Sequence, residues 1–243
     1  MKLLYVELES FVYYDVSKVS TASDLKTNVT NGLLTYASST DLNKFGGRFK
    51  YSKVLNVIDK IDDAISSNIS RVIIRRNLKA LVNQFAQYEL CYGNRFHINP
   101  DGRNIKSTGF TIAGQTDLLY FTDMPNKNIN GALDGSGKGV IAIVKGDGEQ
   151  LIVASAGTVD YIHGEIILNT INITSTEKTN NIVEIQAFPE SNDIISLKDL
   201  YLTFSVDNSQ INMVKDTITS GEQISGVGFN VTSSYSNGAL TRG

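Results

Sequence analysis

Tryptophan is absent from this sequence of 243 residues, cysteine occurs once, histidine twice and proline three times. With Cys91 alone, neither an intrachain disulfide nor a multi-thiolate zinc site can form, which fits a reducing compartment or an assembly made inside a cell. No run of about 18 apolar residues occurs, the length that a membrane-spanning helix needs. Glu7 and Glu9 interrupt the apolar start of the chain, where the core of a signal peptide has to be unbroken. Neither sign of charge dominates. With 22 basic and 25 acidic residues the net charge is −3, so no global field draws the chain onto nucleic acid or anionic lipid. These absences lead to the expectation of a soluble or assembled protein with no nucleic-acid, membrane or small-molecule partner and no cofactor.

What is present is an ordinary apolar share of 41%, enough for one large or two modest domains. From Leu4 to Val12 the residues alternate, the period of a half-buried strand ending near Asp15. Ser20 and Thr21 are plausible caps for a helix carrying Leu25, Val29, Leu33 and Tyr36 on one face, although Gly32 weakens it. Tyr51, Val54, Leu55, Ile58 and Ile61 repeat the helical spacing and lead into Asp62 and Asp63. Ile69 to Arg76 and Phe85 to Tyr92 are rich in β-branched and aromatic residues and predict two strands. Residues 1–92 therefore predict an α+β domain, a small sheet covered by two helices.

Beyond Gly93 the texture changes to short apolar runs separated by turn signals such as Asp101-Gly102 and Gly146-Asp147-Gly148. Candidate strands are Thr108 to Ile112, Leu118 to Thr122, Val140 to Lys145, Gln150 to Ala154, Val159 to His163, Glu165 to Leu168, Ile182 to Phe188 and Tyr201 to Val206. Residues 93–219 thus predict a mostly antiparallel β domain, a sandwich or a barrel. Residues 220–243, rich in Gly, Ser, Thr and Asn, have too little apolar surface to form a core and predict an extended arm.

Few residues point to chemistry. The segment from Asn130 to Gly139 looks briefly like a phosphate-cradling loop, but Ala132 stands where such a loop has its first Gly, Gly139 stands where it has Ser or Thr, and a strand follows instead of a helix. Gly and Asp there are better read as turn formers. His97 and His163 have no ligand or base partner at a recognisable spacing, and no Gly-x-Ser-x-Gly elbow occurs. Cys91, in a predicted strand, reads as a small buried hydrophobe. Asp59, Asp62 and Asp63 close the second helix and read as a solvated turn, since no calcium-type loop follows. The one basic stripe is Arg71, Arg75 and Arg76 with Lys79. Arg71 and Arg75 share a strand face, where guanidinium groups could meet the carboxylates of a partner protein. These four are the candidate interface residues; catalytic, cofactor and metal residues are expected to be absent.

Longer blocks carry a resemblance. Asn43-Lys44-Phe45, Phe49-Lys50-Tyr51-Ser52-Lys53-Val54, Val57-Ile58-Asp59 and Ile65-Ser66-Ser67-Asn68 resemble the large wedge subunit of T-even-type phage baseplates, a relative of the baseplate J family. Further on, Tyr92-Gly93-Asn94-Arg95-Phe96-His97, Ser107-Thr108-Gly109-Phe110, Ala156-Gly157-Thr158-Val159-Asp160-Tyr161 and Pro189-Glu190-Ser191-Asn192-Asp193-Ile194 look like the C-terminal blocks of marine T-even-type relatives. The resemblance spans about Leu3 to Asp207, and its motifs are structural turns.

It implies a non-enzymatic virion protein, assembled in the host cytoplasm. Such a subunit pairs with copies of itself and with other wedge proteins in a ring around the tube of a contractile tail. In that family a long N-terminal portion, whose helices bundle with other wedge proteins, precedes the C-terminal part. No counterpart of it occurs here, so the chain is expected to be a fragment or split-gene product, or to have the helical portion supplied by another protein. Two alternatives belong to other classes. A receptor- or carbohydrate-binding β module would need exposed aromatics, and a tail glycosidase would need two carboxylates across a cleft, which no local pattern picks out.

Overall fold

A computed structural model describes residues 2–19, 21–39, 42–146 and 150–216, together with the backbone of 235–236 and 239–240. The expected arm at 220–243 lies outside the described residues, apart from those two backbone pairs. The chain opens with β1 (Lys2–Tyr14), α1 (Ala22–Ala37), the two-residue strands β2 (Lys44–Phe45) and β3 (Arg48–Phe49), α2 (Tyr51–Asp59), β4 (Ile65–Lys79) and β5 (Phe85–Cys91). Then come β6 (Lys106–Ser107), β7 (Phe110–Ile112), β8 (Leu119–Pro125), β9 (Lys138–Lys145), β10 (Gln150–Asp160) and β11 (Glu165–Thr176). After a 3₁₀ turn at Thr179–Asn181 follow β12 (Ile182–Ala187), β13 (Ile194–Ile195), β14 (Leu200–Phe204), β15 (Gln210–Lys215), β16 (Tyr235–Ser236) and β17 (Ala239–Leu240). The architecture is mostly β, with two α-helices among the described residues.

Both helices form where the apolar spacing puts them. Thr21 caps α1, its hydroxyl accepting from the Asp24 N–H at 3.1 Å, which satisfies one of the first-turn donors that a helix leaves unpaired. The face Leu25, Val29, Leu33 and Ala37 is buried, as are Val54 and Ile58 of α2. Gly32 has a packing reason: a Cβ there would lie 2.2 Å from Ile61 Cδ1, so the missing side chain lets the chain just beyond α2 approach α1.

The helices pack on a sheet centred on β1. β4 pairs with β1 antiparallel, while β14 and β15 run parallel to β1 along its other edge, β14 beside Lys2–Val6 and β15 beside Glu9–Tyr14. β12 adds to the far side of β4. Leu4, Val6, Leu8, Val72 and Ile74 point toward the helices and are at most 1% exposed. This sheet is neither small nor separate from the rest: β12 pairs with β6, β6 with β8, and one thirteen-stranded sheet runs on into the second half.

There the strands close. β7 pairs with β8, β8 with β9, β9 with β10, β10 with β11, and β11 again with β7, all antiparallel. The ring is a five-stranded barrel, which removes the free edges of an open sheet and decides between the expected sandwich and barrel. Phe110, Leu119, Phe121, Ile141, Ile166 and Ile173 fill it, with Phe110 and Phe121 stacked at 4.3 Å between centroids.

One expectation is corrected here. Gln150–Ala154 and Val159–His163 are not two strands. They belong to the single strand β10, which ends at Asp160, and His163 lies in the following turn. The turn-like residues between them make a bulge, where Val153 to Gly157 of β10 spans only Ile143 to Ile141 of β9. At Gly157 a Cβ would stand 2.3 Å from the Ile167 carbonyl oxygen, so glycine permits the close strand approach at this bend.

Candidate functional site

The four residues of the basic stripe go to different places. All lie on β4, where successive side chains alternate between faces. Arg71 and Lys79 are exposed, whereas Arg75 and Arg76 are only 3% and 8% exposed. Arg76 points to the opposite side of the sheet from Arg71 and Arg75 and donates to the Cys91 carbonyl. Arg75 points to the side away from the helices. Its Nε donates to Glu7 Oε1 at 2.5 Å, and its Nη1 to Glu184 Oε1 at 2.8 Å and Asn77 Oδ1 at 2.5 Å. The guanidinium lies 4.2 Å from the centroid of the Tyr5 ring. Gln186 Nε2 donates to the second oxygen of Glu7 at 2.9 Å. Arg75 and Arg76 are thus occupied inside the chain and present no free charge to a partner, a correction to the expectation that both are interface residues beside Arg71 and Lys79. Two carboxylates share the buried Arg75, and burial, stronger than the guanidinium beside it, pushes the Glu7 carboxyl above its ordinary value.

The side of the sheet away from the helices is uncovered at its far end. Arg71 stands opposite Glu9, their charged groups 3.9 Å apart, and the next pair on this face is Phe11 opposite Ile69, exposed by 39% and 63%. Polar Gln210 and Asn212 of β15 flank Glu9 and Phe11. A charged pair next to two apolar side chains is the composition of a recognition patch.

The remaining candidates are structural in their contacts. Asp59 Oδ1 accepts from Asn68 Nδ2 at 2.6 Å, and Asp62 Oδ1 from the Ala64 N–H at 2.8 Å. His163 Nδ1 lies 3.0 Å from Asp160 Oδ2, in a turn where the Asp160 carboxylate also accepts from two backbone N–H groups. Burial pushes the Cys91 thiol up, away from thiolate. The loop from Asn130 to Gly139 is exposed over most of its length and organised by Asn128 and Asp134 side chains accepting from backbone N–H groups.

Two functional-looking features were missed from the sequence. Asp123 is wholly buried in the barrel and accepts from the Ile105 N–H at 2.6 Å and the Tyr161 hydroxyl at 2.7 Å. Its alternation with Leu119 and Phe121 marks an inward position, so the clue was a carboxylate where the period calls for an apolar residue. The second is the segment 103–106, where Arg103 adopts a left-handed φ of 67°; no local signal marks it.

Comparison with known proteins adds one match. The model of the family "Baseplate structural protein gp6, C-terminal domain III" matches residues 2–77, the stretch that supplies β1, both helices and nearly all of β4. No curated protein matches the chain. The match supports a structural role in a phage tail baseplate, in the virion and among other baseplate proteins, and residues 2–77 are similar to the gp6 C-terminal domain III, a domain of the T4-type baseplate wedge protein.

Proposed function

We propose that the chain is a non-enzymatic component of a baseplate wedge that makes subunit contacts, with copies of itself and with other wedge proteins, in the ring around the tail tube. The observation that carries this reading is the family match over residues 2–77. That stretch carries the far end of the sheet, where the side away from the helices is uncovered, so Glu9, Phe11, Ile69 and Arg71 are available to a neighbouring subunit. Assembly in the host cytoplasm accords with the single unpaired cysteine. A contact of this kind is expected to bury about 1,000 Å² or more, and a closed ring supplies avidity that a free pair lacks.

The test is sedimentation of the full chain at high concentration, alone and with wedge proteins. Association is expected, and the double substitution Phe11→Asp, Ile69→Asp is expected to abolish it while leaving the circular dichroism unchanged. A chain that stays monomeric in every mixture overturns the assembly role. Association untouched by the double substitution moves the contact to another face.

A further inference from the structure

A cleft of about 530 Å³ opens beside β4, with Arg71, His97, Arg103 and Lys106 among its lining residues, together with the amides of Asn99 and Asn192. Among the described residues no carboxylate lines it, whereas Glu7 and Glu9 line a neighbouring cleft that Lys106 also borders. Arg103 and Lys106 also line an adjoining cleft of about 410 Å³, with Tyr120 and Thr122. The two cations therefore stand on a ridge shared by both.

Their placement is built into the fold. Between them lie Asn104, 4% exposed, and Ile105, fully buried. Asn104 Nδ2 donates to the carbonyls of His97 and Phe188, at 2.6 and 3.0 Å, and its Oδ1 accepts from the Phe188 N–H at 2.9 Å. The Ile105 N–H donates to buried Asp123, and the Arg103 N–H to the Asp123 carbonyl at 3.2 Å. With 104 and 105 pinned inward, the flanking side chains at 103 and 106 are held outward. The backbone at Arg103 keeps its left-handed φ of 67°, a conformation that is costly for a long side chain and is kept where the surroundings over-determine it. The guanidinium of Arg71, which lines the same cleft, rests over the Phe188 ring at 5.1 Å.

We propose that this cleft is a docking site for an acidic segment of a partner protein. Cations interspersed with amide side chains match the alternation of carboxylates and peptide groups along such a segment. Two open clefts sharing one ridge suit an extended chain better than an enclosed small molecule. Nucleic acid is the weaker fit: the Phe188 ring is covered by Arg71 rather than open for stacking, and the net charge of −3 provides no accumulating field. Most of these residues lie outside the stretch that matches the baseplate family. A chain that fails to self-associate could still pass the following test.

The probe is a fluorescent oligoglutamate peptide, titrated against the full chain and followed by anisotropy. Saturable binding is expected, weakening as salt is raised and falling at least about tenfold in the Arg103→Glu, Lys106→Glu variant, the loss expected when opposed charges become like charges. Arg103→Gly, which relaxes the left-handed backbone, is expected to weaken binding without unfolding. Lys26→Glu, on the exposed side of α1, is expected to leave it unchanged. No saturable binding, or an equal loss in Lys26→Glu, overturns the proposal. So does tighter binding of an oligothymidylate of the same charge, or equal competition by free inorganic phosphate.

Discussion

At the scale of single residues, the decisive fact is that charge is placed by neighbours far along the chain. Arg75 sits among Glu7, Glu184 and Asn77 at 3% exposure. Its replacement by Met would leave buried Glu7 with no counter-charge, while Glu184 keeps Lys178 at 3.5 Å. Breaking such a buried pair costs about 3–5 kcal/mol, so Arg75→Met is expected to lower the urea midpoint sharply. Arg71→Ala, which removes an exposed partner 3.9 Å from Glu9, is expected to cost about 1 kcal/mol or less. Equal effects of the two would show that the buried network does not hold the sheet.

Asp123 allows a pH test. Burial, only partly offset by the Ile105 N–H and the Tyr161 hydroxyl, raises its carboxyl above the ordinary 3.8. The folded chain therefore holds this proton more tightly than the unfolded chain. The stability it contributes is fully present below about pH 3.8 and is lost as pH rises through the folded value. Asn at this position keeps an acceptor for Ile105 and can donate to the Tyr161 oxygen, with no charge to bury. The denaturation midpoint of Asp123→Asn relative to the natural chain is expected to improve steadily from acid to neutral pH, and a difference independent of pH would reject the buried-charge account.

At the scale of elements, periodicity was a good guide wherever one face of an element is buried. The alternation in β1 and the helical stripes of α1 and α2 could be read directly, because each element covers its apolar side locally. The sequence offered Ser20 and Thr21 as caps, and the structure gives the role to Thr21. The pattern misled at Ser155-Ala156-Gly157-Thr158. Small and polar residues mark a turn in an isolated segment, but here they mark the bulge that bends β10 around the barrel. Only the neighbouring strands distinguish the two, since the missing Cβ of Gly157 is required by the Ile167 carbonyl. β15, short and half-polar along an edge, was not legible at all.

At the scale of the whole molecule, β1 is completed by strands about two hundred residues away in sequence: β14 and β15 run parallel along one edge, and β12 closes the far side of β4. A fragment of residues 1–92 therefore keeps the β1–β4 pair and lacks the strands on its two outer sides. It is expected to show no cooperative unfolding transition alone and to regain one when residues 182–216 are joined to it through a flexible linker. Cooperative folding of 1–92 alone would show that the helices and two long strands suffice.

The sequence by itself determined the two helices and most of the longer strands in their order, the α+β start and β-rich continuation, and the resemblance to the baseplate wedge, because propensity, capping and period act within a few residues. Only the tertiary structure decided which strands are neighbours, that five of them close into a barrel, and which arginines reach solvent. Strand pairing and charge burial are contacts across long sequence separations, 68 residues from Glu7 to Arg75 and 109 from Arg75 to Glu184. A local pattern reports that a face is buried, and carries no information about what it is buried against.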